Sequence, residues 1–104
     1  MPLKNIHFDS AIRGAVQAKS EMLQGIFDSA TAKLAECGLT PDAGLACRAV
    51  PKDEAGRAKG SENFNGRNVL AWIENIPAVA ESAEEQDAHR QLLILHATIA
   101  ARLA

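Results

Sequence analysis

SAIRGAVQAKSEMLQGIFDSATAKLAEC, residues 10–37, is the stretch that decides the fold. At about 100° per residue, its apolar and small side chains gather on one side of a helix, and its polar side chains gather on the other. The pattern predicts an amphipathic helix of about 28 residues, from Ser10 to Cys37. The side chains within about 60° of its apolar line are Ile12, Val16, Leu23, Ile26, Phe27, Ala30, Leu34 and Cys37.

The end of this helix carries the clearest local signal in the chain. Gly38 follows Cys37 at the position where a Schellman ending places a left-handed residue. Leu39 is then placed to fold back onto Leu34. The sequence therefore predicts that the helix stops at Cys37.

Lys19 interrupts the apolar side of the same helix. We expect its methylene groups to cover apolar surface while its ammonium group stays in water. An ion pair with a partner subunit or with an anionic ligand is the alternative.

The composition bounds the fold class. Of 104 residues, 47% are hydrophobic, 4% aromatic and 23% charged, which indicates a globular chain with a core of small and aliphatic side chains. This length suits one helical domain, residues 1–104, and is too short for two independent cores. Tyrosine is absent and β-branched residues are scattered, so the pattern indicates no series of strands. We expect an all-α helical bundle.

Charge and hydropathy exclude several classes of function. The formal net charge is −2, and the basic residues around Lys59 are mixed with acidic ones, so we expect no nucleic-acid partner. No apolar run reaches the roughly 18 residues that cross a membrane, and residues 1–10 lack the apolar stretch of a secretory signal. We therefore expect a cytoplasmic protein with no membrane partner.

The middle of the chain contains a second, shorter helix signal. Thr40 is a suitable cap, Pro41 suits the first helical position, and Pro51 prevents extension. The segment between the prolines is also compatible with extended backbone, although the helix is favoured. Residues 51–66 then predict a long loop. This loop is either a solvated crossover or a segment that orders on a partner through its single aromatic residue, Phe64.

A third helix is predicted around Trp72. Val69 and Ile73 contribute to its apolar face, and we expect Trp72 to anchor the core with its indole N–H at the edge. Pro77 lacks an amide hydrogen and crowds the preceding turn, but the apolar spacing continues beyond it. The pattern predicts a bent helix over residues 67–81.

A fourth helix is predicted over residues 83–103. Ser82 and Glu85 match a capping box, in which each side chain accepts a hydrogen bond from the backbone amide of the other residue. We expect this helix to pack roughly antiparallel to the first. Its predicted buried line is His89, Leu92, His96, Ile99 and Leu103.

Glu85, His89 and His96 form the one constellation of this sequence with potential chemistry. A carboxylate one turn from His89 can orient its ring. The two histidines are about 10 Å apart along the helix axis, which is too far for both to bind one zinc ion. We expect them to pack or to form hydrogen bonds; a pH-sensitive interface and a metal or catalytic site are the alternatives.

Cysteine chemistry is weakly indicated. A nucleophilic pair would place Cys37 or Cys47 beside one of the three histidines, which include His7. Cys37 lies at a helix C-terminus, where the helix dipole disfavours a thiolate. We expect both cysteines to be reduced core residues, and we expect no catalytic, metal-binding or cofactor-binding residue.

These patterns favour an interaction protein over an enzyme. The leading hypothesis is a small adaptor or chaperone-like module that forms a homodimer or binds another protein. The alternative is a small-molecule-binding bundle whose pocket lies near Trp72 and His96, with Phe27 and Leu95 beside them. A metal-dependent or cysteine enzyme is a weaker alternative. The candidate ligand or interface residues are Lys19, Met22, Phe27, Phe64, Trp72, His89 and His96.

Overall fold

A computed structural model describes residues 12, 14–15, 17–41 and 65–104. This part of the chain contains three helices, a few helical residues before Ala18, and no strand, which confirms the all-α bundle. The predicted short helix after Thr40, most of the predicted loop, Phe64 and Cys47 lie outside the described residues. The described helices include none that is long and apolar enough to cross a membrane. The helices are α1 (Ser20–Cys37), α2 (Gly66–Glu74) and α3 (Ala83–Leu103).

The first predicted helix has a break near its middle. Residues 12, 14, 15 and 17 are helical, but Lys19 has extended backbone with φ −67° and ψ 152°, and α1 begins after it. The prediction of one continuous helix over residues 10–37 is corrected accordingly. The break allows Ile12 and Ala15 to join the core that α1 builds.

The C-terminus of α1 is formed as predicted. Gly38 has φ 69°, in the left-handed region, and its amide donates to the carbonyl of Ala35 at 3.1 Å. The amide of Leu39 donates to the carbonyl of Leu34 at 3.0 Å, and the Leu39 side chain packs against the core. These two bonds define a Schellman ending and satisfy carbonyl groups that the helix itself leaves free.

Asparagine residues define both ends of α2. The side-chain oxygen of Asn65 accepts from the amide of Arg67 at 2.9 Å and so caps the N-terminus. At the other end, the Asn75 side chain donates to the carbonyl of Ala71 at 2.8 Å. The helix stops at Glu74, and residues 75–82 are not helical, so the predicted bent helix over 67–81 is corrected. Because Pro77 has no amide hydrogen, the chain turns away before it.

The N-terminus of α3 confirms half of the predicted capping box. The hydroxyl of Ser82 accepts from the amide of Glu85 at 3.1 Å. The Glu85 carboxylate accepts from the amide of Glu81 at 2.8 Å, one residue before the predicted donor. The carboxylate therefore also ties the connector between α2 and α3 to the first turn of α3.

Side-chain contacts fix the directions of the helices. The Met22 side chain lies over Gly66 at the start of α2, and the Lys33 ammonium donates to the carbonyl of Glu74 at its end, at 3.4 Å. The helices α1 and α2 therefore run in the same direction. In contrast, α3 runs antiparallel to α1, as predicted, because Cys37 meets His89 near the start of α3 and Thr31 meets His96 further on. The buried core side chains of the three helices include Leu23, Ile26, Leu34, Val69, Trp72, Ile73, Leu92, Leu95 and Ile99.

Candidate functional site

The structure places the predicted site residues that it describes in four locations. Lys19 and Met22 are exposed near the N-terminus of α1. Trp72 is buried in the core, as predicted. Phe27 and His96 meet between α1 and α3, and His89 lies at a separate junction beside Cys37.

His96 is held by two residues of α1. Its ring stacks on the ring of Phe27, with centroids 4.4 Å apart and planes inclined by 21°. The Thr31 hydroxyl lies 2.9 Å from Nε2 of His96 and donates to the carbonyl of Phe27, also at 2.9 Å. Because a hydroxyl has only one proton to donate, Thr31 accepts a hydrogen bond from Nε2–H of His96. Phe27 and Thr31 are one helical turn apart, so α1 presents both to the same ring.

The other ring nitrogen of His96 has no partner. His96 is 7% exposed, and Nδ1 is buried without a hydrogen bond among the described residues. In the tautomer fixed by Thr31, Nδ1 carries the lone pair of a neutral ring. Burial lowers the pKa of His96 below its ordinary value of 6.5, because the surroundings disfavour the charged ring. The sequence predicted a packed or hydrogen-bonded histidine, and the structure shows one that is both.

His89, Cys37 and the backbone of Pro77 form a second polar junction. Nε2 of His89 lies 2.7 Å from the carbonyl oxygen of Pro77 and donates to it. The sulfur of Cys37 lies 3.7 Å from that oxygen and 3.7 Å from Nε2 of His89. This Cys37–His89–Pro77 junction joins the end of α1, the connector and the start of α3. The Glu85 carboxylate, one helical turn from His89, accepts from the amide of Glu81.

The chemistry of this junction favours hydrogen bonding over nucleophilic attack. Burial raises the pKa of the Cys37 thiol, and the carboxylate of Glu36 adds to that increase, whereas Lys33 lowers the pKa by less than burial raises it. Nε2 of His89 is protonated, because it donates a hydrogen bond to the Pro77 carbonyl. It therefore has no lone pair with which to take the thiol proton. Cys37 and His89 are adjacent, but their arrangement is not that of an activated nucleophile.

An open groove lies between α1 and α2. Its volume is about 230 Å³. The side chain of Lys33, which is 11% exposed, lies along one side of it. Its ammonium group pairs with the Glu36 carboxylate at 3.0 Å and donates to the carbonyl of Glu74. None of the predicted pocket residues lines this groove. The lining residues are Ser29, Ala32, Lys33, Glu36, Ile73 and Glu74.

Within the described ranges, no three or more His, Cys, Asp or Glu residues are grouped so that they could hold a metal ion. Comparisons with protein-family models, with characterised proteins and with solved structures find no match to this chain. Any proposal of function therefore depends on the residues themselves.

Proposed function

We propose that this protein is a small helical interaction module that self-associates as a dimer through the exposed side of α1. The observation that carries this proposal is Met22. Its side chain is 44% exposed although it is large and apolar. Part of this side chain lies against Gly66, and its exposed remainder provides apolar surface that a second copy of the chain can cover.

The residues along α1 from Met22 extend this surface. Ser29 and Glu36 follow Met22 at intervals of seven residues and so lie on nearly the same line of the helix. Between them, Gly25 and Ala32 are exposed and small, which permits close approach of a second helix. The same line borders the groove between α1 and α2, because Ser29, Ala32 and Glu36 line it. We call these five positions the α1 edge.

Charges at the two ends of the α1 edge favour a second copy of the chain as the partner. Lys19 is exposed beside the N-terminal end, and the side chain of Glu36 is 57% exposed at the C-terminal end. A two-fold axis pairs one surface with itself in reverse order. Two α1 helices that run antiparallel therefore bring Lys19 towards the partner's Glu36, twice in each dimer. This arrangement gives Lys19 the ion pair with a partner subunit that the sequence suggests as an alternative.

A matched pair of substitutions tests the proposal. Ala32→Arg places a long side chain on the α1 edge, whereas Ala35→Arg places the same side chain on another exposed part of α1. Arginine at position 32 has acidic neighbours four residues away on both sides, Asp28 and Glu36, so it supports the folded monomer. We expect light scattering after size-exclusion chromatography to show a dimer for the wild-type and Ala35→Arg chains and a monomer for Ala32→Arg.

Circular dichroism of each variant checks that its helix content is unchanged. A wild-type protein that remains monomeric throughout the micromolar range contradicts dimerisation. Equal dissociation of both arginine variants contradicts the location of the interface on the α1 edge. The adaptor or chaperone-like role, the cytoplasmic location and the absence of catalysis belong to the same proposal.

One observation favours the small-molecule alternative. The buried Nδ1 of His96 has no hydrogen-bond partner in the part of the chain that the structure describes, and unsatisfied buried polar atoms are few in native proteins. A small polar molecule that donates a hydrogen bond to this nitrogen would satisfy it. Trp72 is the single tryptophan, so its fluorescence can be screened against a library of small polar compounds. A response that disappears in His96→Phe supports this alternative, and no response to any compound contradicts it.

A further inference from the structure

We propose that the Cys37–His89–Pro77 junction binds one soft monovalent cation of the copper(I) or silver(I) class. The proposal goes beyond the dimer and does not depend on it. Thiolate and imidazole donors are those that copper(I) prefers in proteins. The junction places one of each beside a backbone carbonyl.

The distances within the junction suit a single ion. The sulfur of Cys37 and Nε2 of His89 are 3.7 Å apart. Metal–sulfur and metal–nitrogen bonds of about 2.3 and 2.0 Å would then enclose an angle of about 120° at the ion. Nε2–H of His89 is directed at the Pro77 carbonyl, so the ring must turn from that carbonyl towards the sulfur for both donor atoms to bind one ion. The carbonyl oxygen of Pro77, 2.7 Å from Nε2 and 3.7 Å from the sulfur, is near enough to act as a weak third donor.

Proton and charge balance also favour a monovalent ion. On binding, the thiol of Cys37 releases its proton to solvent, and the proton of the His89 ring moves from Nε2 to Nδ1. One thiolate and one monovalent cation leave the site neutral. A neutral site is compatible with the half-buried position of both side chains, whereas a divalent ion would leave a net positive charge there.

The number of donors argues against zinc. Structural zinc sites have four protein ligands, and catalytic ones have three. Within the described part of the chain, no third His, Cys, Asp or Glu completes a group around Cys37 and His89. The nearest carboxylate along α3, that of Glu85, accepts from the amide of Glu81. Two side-chain donors and one carbonyl therefore favour an ion that binds two or three ligands.

The test is an anaerobic titration of the full chain with copper(I), in competition with the chromophoric chelator bicinchoninate. Cys47→Ser serves as the reference chain, because it leaves Cys37 as the single thiol. We expect the reference to bind one equivalent of copper(I). Adding Cys37→Ser should abolish binding, and adding His89→Gln should weaken it by about 100-fold. Adding His7→Gln, a histidine control, should leave the affinity unchanged.

His89→Gln is chosen because its amide can still donate to the carbonyl of Pro77, and circular dichroism verifies that the variant is folded. If His89→Gln binds as tightly as the reference, a thiol alone holds the ion and the proposal is wrong. Equally tight binding of zinc by the reference chain would also overturn it. Light scattering of the same samples reports dimerisation separately, so failure of either proposal is distinguishable from failure of the other.

Discussion

His89 and His96 lie on the same line of α3, two helical turns apart, but their rings have different surroundings. His96 is buried, stacked on Phe27, and hydrogen-bonded to the described residues through one of its two nitrogens. His89 is half-buried and donates to a backbone carbonyl of the connector, with the Cys37 thiol beside it. The two histidines therefore have different roles, although they lie at nearly the same angle around α3. The difference comes from the elements that face α3 at each level.

His89 links three elements, the end of α1, the connector and the start of α3, whereas His96 packs between α1 and α3. At the level of His89, the connector contacts α3 through the Pro77 carbonyl, which accepts from Nε2–H of His89. At the level of His96, α1 alone supplies the partners, through an aromatic ring and a hydroxyl one turn apart. Loss of His96 should therefore disturb packing, whereas loss of His89 should release one hydrogen bond.

The largest expected effect comes from removal of the two rings. His96→Ala removes a buried, stacked ring and leaves a cavity between α1 and α3, so we expect a loss of about 2–3 kcal/mol in the free energy of unfolding. His89→Ala removes a half-buried ring and one hydrogen bond, and we expect a loss of about 1 kcal/mol. Urea denaturation followed by Trp72 fluorescence measures both values. Equal losses would show that the two environments are energetically equivalent.

A smaller effect is expected from the partner of His96. Thr31→Val removes the hydroxyl and leaves Nε2–H of His96 without its acceptor, so we expect a loss of about 1 kcal/mol. Thr31→Ser retains the hydroxyl and is the matched control, for which we expect less than half of that loss. The same urea denaturation measures both variants. If Thr31→Val is as stable as Thr31→Ser, the bond to His96 contributes nothing.

The smallest expected effect comes from protonation of His96. Its pKa is lower in the folded chain than the ordinary value of 6.5 that the unfolded chain retains. Below pH 6.5, the unfolded state binds this proton more readily than the folded state does. The contribution of His96 to stability is therefore complete above pH 6.5 and decreases as the pH falls towards the pKa of His96 in the folded chain. His96→Phe keeps a ring at this position and removes its titration.

We expect the wild-type protein to lose stability relative to His96→Phe as the pH is lowered from 7.5 to 5, because only the wild type carries this titration. Urea denaturation at a series of pH values measures the difference. A wild type that gains stability relative to His96→Phe on acidification would mean that the face of Phe27 stabilises a charged ring.

Local patterns predicted much of the fold. Gly38 and Leu39 predicted the end of α1, and the hydroxyl of Ser82 predicted the start of α3. These features involve residues within a few positions of one another, so their geometry is encoded locally. The break at Lys19 was missed, because the residues around it continue the helical pattern. The C-terminal cap of α2 by Asn75 was also missed, because the apolar spacing continues beyond Pro77.

The site was less predictable than the fold. The helical period of α3 placed both histidines on its buried side. In the structure, His96 is buried and His89 is half-buried. The helical period did not predict that Cys37 would lie beside His89, 52 positions along the chain, or that Thr31 would lie beside His96, 65 positions away. Such pairs depend on the register between two antiparallel helices, which no local pattern specifies.

The sequence by itself determined the presence of the three helices, where two of them are capped, and which of their sides are apolar. These properties follow from backbone sterics, short-range hydrogen bonds and a period of 3.6 residues. Only the tertiary structure decided which nitrogen of each histidine has a partner, and that a thiol, an imidazole and a carbonyl meet at one junction. The physical reason is that hydrogen-bond and coordination geometry is set within fractions of an ångström by the packing of distant segments, whereas the helical period fixes only the direction of a side chain.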